Sequence, residues 1–356
     1  MRDVAERAGV SITTVSRVLN GRETGVPIRE TTRERIVVSA AELGYRPNML
    51  ARALRGSRSR LLGVIVRDIA DPFHIQVLRG INEAARDRDY RLFLGHLDWR
   101  PSEAAVFASM FEQSHADGII LIGDMVGGDA ALDALADRHP FIVGVTDRVS
   151  RRRVPGVYAD NDLGTRLALD HLWSLGHRNI ISVVDERMAD GPFRAGVYEG
   201  YMRDRDVGDR IRVYHAAQPD AGPSYRLGRE LFAGFDGRDR PTAIFAASDS
   251  IAIGLLQAAF QHGIRVPEQL SIVGFDDVDA ATYMVPPLTT VSQRGSEMGE
   301  MAASLILDMI EKQRPVEDVE DVVLTPRLVV RQSTGPAPAN LMEPALPGGG
   351  AEMEER

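Results

Sequence analysis

The chain has 356 residues, 44% of them apolar and 26% charged, with a formal net charge of −9 and no cysteine. That length suggests two or three domains, and the absence of cysteine excludes disulfides, thiol nucleophiles and Cys-ligated metals. No run approaches the roughly 20 apolar residues of a membrane span and no export signal opens the sequence, so a cytoplasmic protein without membrane contact is expected.

The charge is unevenly spread. Residues 1–60 hold 12 Arg, no Lys and 6 acidic residues, a net of +6, while the remainder carries −15. Such asymmetry fits a nucleic-acid-binding module, although an Arg-rich solvated surface has the same composition. Residues 1–46 read as three short helices. Asp3–Ala8 places Val4, Ala5 and Ala8 on one face, Gly9 permits a tight turn, and Ser11 is a suitable N-cap for a second helix, Ile12–Leu19. Packing of Val10 and Val15 on Val4 and Ala8 leaves Ile12, Thr13, Ser16 and Arg17 outward, as a helix entering a DNA major groove requires. A third helix, Thr31–Leu43, offers Ile36, Ala40 and Leu43 to the core and stops at Gly44. Helix–Gly–helix spacing alone fits a generic three-helix bundle equally well.

Residues 47–60 form a basic connector whose Pro47–Arg55 stretch is too short for a stable isolated helix. From 61 to 332 the sequence alternates strand-length apolar runs with amphipathic helices. The runs are Leu62–Val66, Arg91–Leu94, Gly118–Ile122, Phe141–Val145, Ile180–Val184, Thr242–Ala246 and Leu270–Gly274. The helical patterns are Ile75–Arg88, Glu103–His115, Gly164–Leu175, Ser250–His262 and Met298–Lys312. This is an α/β pattern of parallel sheets covered on both faces, in two lobes, with ligands expected beyond the carboxyl ends of the strands. Residues 333–356, rich in Pro, Gly, Ala and Glu, read as a disordered tail.

The string D-V-A-E-R-A-G-V-S-x-x-T-V-S-R-V-L-N-G at Asp3–Gly21, with E-L-G-Y-R-P-N at Glu42–Asn48, closely resembles the lac repressor/gal repressor family of bacterial transcription regulators. Further matches are D-P-F-H (Asp71–His74), D-N-D-L-G (Asp160–Gly164), H-L-W-S-L-G-H-R (His171–Arg178), G-F-D-D (Gly274–Asp277) and P-P-L-T-T-V (Pro286–Val291). The resemblance implies an N-terminal helix-turn-helix domain followed by a two-lobed periplasmic-binding-protein-like domain. It implies a homodimer on a palindromic operator, controlled by a small-molecule effector, with a sugar or sugar derivative as the family habit. A purine or other metabolite, a protein co-repressor, or activation in place of repression are the alternatives.

By the same resemblance Ile12, Thr13 and Arg17 meet base edges, and Ser11, Thr14, Ser16 and Asn20 contact phosphates. The chemistry agrees, since hydroxyls and amides bond phosphate oxygens while Arg reaches guanine. Ala51, Arg52 and Leu54 become a hinge helix whose leucine enters the minor groove; a flexible linker is the plain alternative. Phe73, His74, Asp147, Ser248 and Asp276 would line the effector cleft, with Asp249 as a helix cap and Asp277 stabilising a turn. The sequence departs from the family in two places. Gly21–Thr31 is about three residues longer than usual, with Arg29 at the cap of the third helix. Counting from Gly200-Tyr201 puts Val197 where a ligand-clamping Arg is expected, with Arg194 one helical turn upstream as its substitute.

An enzyme is the rival class, but there is no dinucleotide fingerprint, P-loop or catalytic triad context. The histidines are scattered, His171 and His177 flanking a helix end in structural or charge roles. No catalytic residue, metal or cofactor is expected. An exported solute-binding protein would share the second fold but lack the Asp3–Gly21 motif.

Overall fold

In a computed structural model of the chain, the described residues are 1–19, 27–45, 58–123, 135–146, 154–185, 187, 189–217, 220–235 and 240–338. They divide into two compact units, residues 1–59 and 60–356.

The first unit contains α1 (Arg2–Ala8), α2 (Ile12–Leu19) and α3 (Glu30–Glu42). Val4, Ala5, Ala8, Val15, Val18, Ile36 and Ala40 meet in one core, one apolar stripe per helix. Gly9 ends α1 with φ 62°, and the Val10 and Gly9 amides donate back to the Ala5 and Glu6 carbonyls at 3.0 and 3.2 Å. Gly44 (φ 58°) repeats this at the end of α3, where the Tyr45 amide donates to Ala40 at 2.8 Å. These are left-handed caps that satisfy orphan carbonyls and turn the chain sharply. Arg29 occupies the N-cap of α3 and makes no side-chain capping bond.

The second unit has two six-stranded sheets. The first is ordered β11-β5-β4-β3-β1-β2 and the second β12-β10-β9-β8-β6-β7. Its strands are β1 (Leu61–Val66), β2 (Arg91–His96), β3 (Gly118–Ile122), β4 (Ile142–Val145), β5 (Gly156–Ala159), β6 (Ile180–Asp185), β7 (Val213–Ala216), β8 (Ala243–Ala246), β9 (Ser271–Asp276), β10 (Thr289–Ser292), β11 (Val322–Leu324) and β12 (Arg327–Val329). All pair in parallel except β10 with β12. β3, β4, β6, β8 and β9 are buried along their whole length, as sheets covered on both faces demand.

The covering helices are α4 (Pro72–Asp87), α5 (Pro101–Gln113), α6 (Asn161–Ser174), α7 (Asp190–Arg203), α8 (Ala221–Ala233), α9 (Asp249–Gln261), the short α10 (Asp279–Tyr283) and α11 (Gly295–Lys312). In the first lobe α4 and α11 pack closely because Gly80 and Gly299 are bare. A Cβ on Gly80 would lie 1.8 Å from the Ser296 carbonyl, and one on Gly299 would lie 2.0 Å from that of Val77.

The chain crosses between lobes three times: from β5 to α6, from β10 to α11, and from β11 to β12. In each sheet the strand order reverses beside the first strand of the lobe, at β1/β3 and at β6/β8. Ligands of doubly wound sheets lie at such reversals, beyond the carboxyl ends of the strands. In this unit both ends open on one interlobe cleft, where the Gln76 amide donates to the Asp277 carbonyl at 2.9 Å.

The reading of 333–356 as a tail needs correction over its first six residues. Ser333 is fully buried, donates to the Ile272 carbonyl at 2.6 Å and accepts the Thr289 amide at 2.8 Å. The Ala337 amide reaches the Leu175 carbonyl at 2.9 Å. Pro and Gly there shape a docked strand-like segment whose partners lie far off in sequence.

Candidate functional site

In the first unit, Ser11 caps α2: its Oγ accepts the Thr14 amide at 3.1 Å and lies 2.8 Å from the Thr14 hydroxyl. Val15 and Val18 turn inward, so the opposite face carries the candidates. Ile12 (46% exposed) and Thr13 are open to solvent, and Thr14, Ser16 and Arg17 are half-buried. A short helix thus presents an apolar group, three hydroxyls and a guanidinium together, a set able to meet base edges and phosphates. Asn20, Ala51, Arg52 and Leu54 lie outside the described residues, as does Asp147 of the second unit.

In the cleft of the second unit the C-terminal lobe contributes Asp276, at the end of β9. Its backbone is held at φ 124°, a conformation that L side chains rarely adopt and that is typically retained where a site needs it. The carboxylate accepts from Gln293 Nε2 at 2.6 Å. Burial pushes its pKa well above the usual carboxylate range, and the nearby Arg194 guanidinium opposes that rise.

Arg194, on α7, is 2% exposed and points into the same place. It donates to Asn161 Oδ1 at 2.8 Å, to Asp190 Oδ2 at 3.1 Å and to the Ala247 carbonyl, and its guanidinium stacks 3.7 Å from the Phe275 ring centroid. The count from Gly200-Tyr201 pointed to Val197, which is 9% exposed within the core. A helical turn earlier is where the guanidinium stands near Asp276.

Three other expectations need adjustment. Ser248 is the N-cap of α9, its Oγ accepting the Ile251 amide at 3.3 Å. Asp249, read as that cap, instead turns away. It accepts from Thr290 Oγ1 and from the Val278 amide at 2.9 Å, and burial raises its pKa to about 7. Phe73, expected as a stacking ring, is 5% exposed and packs in the first lobe's core, with its edge against Gly295.

His74 is 1% exposed. Its Nδ1 lies 2.8 Å from the Asp68 carbonyl, which only accepts, so the proton sits on Nδ1 and Nε2 faces Arg67 Nη2 at 3.4 Å. Burial lowers its pKa, keeping the ring neutral. His74 therefore braces the loop after β1 and holds Asp68, while Asp71 caps α4 through the Phe73 amide at 2.9 Å. Asp277 does stabilise its turn, pairing with Arg331 at 2.6 Å.

His177 is structural. It bridges Thr242, Ser271 and the Gly335 carbonyl at 2.9–3.0 Å, and burial lowers its pKa to about 4. Among the described residues no group of three or more His, Cys, Asp or Glu is placed to hold a metal ion, and no helix is long and apolar enough to cross a membrane.

Sequence reasoning missed Asn161, Asp190 and Gln293, which hold Arg194 and Asp276, and Trp99, which follows β2 at the cleft mouth. The rule that ligands lie after strand ends reaches Trp99, and Asn161 stands in the D-N-D-L-G stretch although no role was read for it; Asp190 and Gln293, on a helix and a crossing segment, carry no local motif.

The family model for bacterial regulatory proteins of the lacI family matches residues 1–48, and that of the periplasmic binding protein-like domain matches residues 169–334. The HTH-type transcriptional regulator DegA of Bacillus subtilis (strain 168) is 33% identical over 348 residues, covering 94% of this chain and 97% of the relative. The HTH-type transcriptional repressor CytR of Escherichia coli (strain K12) is 31% identical over 316 residues, 88% of this chain and 90% of the relative. Among solved structures, the lac repressor dimer bound to operator and the anti-inducer ONPF superposes with a TM-score of 0.80 at 24% identity, over 94% of this chain and 98% of that one. A LacI family regulator from Enterococcus faecium with bound ribose gives a TM-score of 0.69 at 26% identity, over 78% and 99%.

Proposed function

This chain belongs to the lacI family of bacterial regulatory proteins and is a DNA-binding transcription regulator controlled by an effector, and we propose that it works as a cytoplasmic homodimeric repressor on a palindromic operator. Ile12, Thr13 and Arg17 read bases, with Ser11, Thr14, Ser16 and Asn20 on phosphates. Ala51, Arg52 and Leu54 form the minor-groove hinge. The observation that carries this reading is the outward face of α2, where Arg17 stands beside exposed Ile12 and Thr13 on a helix fixed by its Ser11 cap. Two-fold symmetry in the protein then demands half-sites one or more helical turns apart.

The effector is proposed to be an uncharged polyhydroxylated molecule, a sugar or sugar derivative, held by Asp276 and Arg194. A carboxylate accepts from two hydroxyls and a guanidinium donates to others. The neighbouring Asp71 and Asp190 carboxylates disfavour an anionic ligand. An effector that binds the two lobe arrangements unequally changes operator affinity about 5–150-fold, for a coupling of about 1–3 kcal/mol.

The test is selection of operators from random DNA by wild type and Arg17→Ala, followed by titration at fixed salt. Loss of discrimination at one symmetric base-pair position, worth about 1–3 kcal/mol, is expected. Weakening that is uniform over all sequences would assign Arg17 to phosphate instead.

A further inference from the structure

At the mouth of the cleft, an indole and a guanidinium from opposite lobes face each other. Trp99 belongs to the N-terminal lobe, three residues past the end of β2, and Arg187 to the C-terminal lobe, two residues past β6. The Arg187 Cζ lies 4.0 Å from the Trp99 ring centroid, a stacking contact across the lobes. Arg67 adds a second guanidinium at 5.0 Å.

The indole is held in place. Its Nε1 donates to Asp68 Oδ2 at 3.1 Å, and Asp98 and Trp99 are consecutive residues with positive φ, 48° and 59°. Two adjacent side-chain-bearing residues in that region are costly unless the surroundings fix them. Their effect is to turn a large ring toward the cleft, half-exposed, when the core has no use for it.

The opposite wall is looser. Arg187 is exposed, and Asp220, at the start of α8, feels its positive charge together with the negative charges of Asp68 and Asp71. A carboxylate within the same lobe thus stands near enough to feel the guanidinium's charge.

We infer that Trp99 and Arg187 form a second effector subsite across the cleft mouth, in which the flat apolar face of a ring stacks on Trp99 where the Arg187 guanidinium now lies. Pyranoses and heteroaromatic bases share that flat face. The displaced guanidinium moves onto Asp220. With hydroxyls taken at the Asp276–Arg194 end and a ring face at the Trp99 end, the proposed effector has two rings, one for each end. This rests on the proposed sensing role of the cleft.

The experiment uses the full chain with Trp173→Phe, which leaves Trp99 as the single tryptophan of two. Cellobiose, adenosine and ribose are titrated to about 10 mM, enough to reveal even millimolar binding, following both Trp99 emission and melting temperature. The expected result is a saturable emission change with cellobiose or adenosine, whichever acts naming the ring type, and none with ribose. With the active compound, W99A binds about 10-fold more weakly, W99F within about 3-fold, and R187Q at least as tightly as wild type, the scale of one stacked ring. The W99F result separates lost stacking from lost folding. A rise in melting temperature with emission unmoved overturns the subsite and leaves the sensing cleft standing. An emission change with ribose alone overturns the two-ring effector. If neither signal moves with any of the three, the subsite falls and the sensing reading falls with it.

Discussion

Replacing Arg194 by Met keeps the stem against Phe275 and removes the guanidinium, which tests whether this cation holds the cleft together. The Ala247 carbonyl and Asn161 Oδ1 would each lose a donor, at about 1 kcal/mol apiece. Asp190, partly exposed, loses a partner that solvent can largely replace. Asp276 loses the cation that favours its ionised form, and stranding a buried carboxylate raises the total to about 3 kcal/mol where Asp276 is ionised. With a urea slope of about 3 kcal/mol per molar, the unfolding midpoint falls by about 1 M. The sign of the pH dependence is fixed by the geometry. Attraction between Arg194 and Asp276 exists only while Asp276 is ionised, and burial raises its pKa, so acidification removes that part of the loss first. The penalty therefore shrinks as pH is lowered. A midpoint shift worth less than about 1 kcal/mol at every pH, or one that grows on acidification, would refute the reasoning.

Asp249→Asn should flatten the pH dependence of stability. With its pKa raised to about 7 by burial, the folded state holds a proton that the unfolded state has released. Wild-type stability then falls as pH rises from about 4 to about 7, by up to about 1.4 kcal/mol per unit; an unchanged slope in the Asn variant, by urea melts across that range, counts against this. Gly80→Ala should cost at least about 2 kcal/mol, because the new methyl would run into the α11 backbone at Ser296 and Glu300. Gly196→Ala, with open space around it on α7, should stabilise by about 0.5–1 kcal/mol in the same denaturation assay.

Where local pattern and tertiary role coincide, the sequence was legible. Helix α2 runs Ile12–Leu19 as its cap and apolar stripe require, and β1, β3, β4, β6, β8 and β9 are apolar because both faces are buried. Strand β10 is the opposite case. Thr289 and Thr290 are fully buried, yet read as polar because their hydroxyl partners, Thr334, Arg331 and Asp249, lie far along the chain. Strands β5, β7, β11 and β12 are only three or four residues long, too short to show a period. At the site, Asp276 followed from its place after a strand. Arg194 was blurred by a repeated Gly-Tyr-like spacing on α7, Asn161 lay in a recognised D-N-D-L-G stretch without a role assigned to it, and Gln293 carries no sequence signal because its role is to hold another side chain.

The three crossings between lobes carry a genetic consequence. The N-terminal lobe takes its last strand, β11, from the end of the chain, and β12 of the other lobe follows it after two residues. Neither lobe is thus a contiguous block of sequence that recombination could excise, duplicate or exchange. A nonsense mutation upstream of Val322 strips an edge strand from both sheets at once, so shortened alleles are expected to lose the whole sensing unit while residues 1–59, a compact unit with their own core, are still encoded intact.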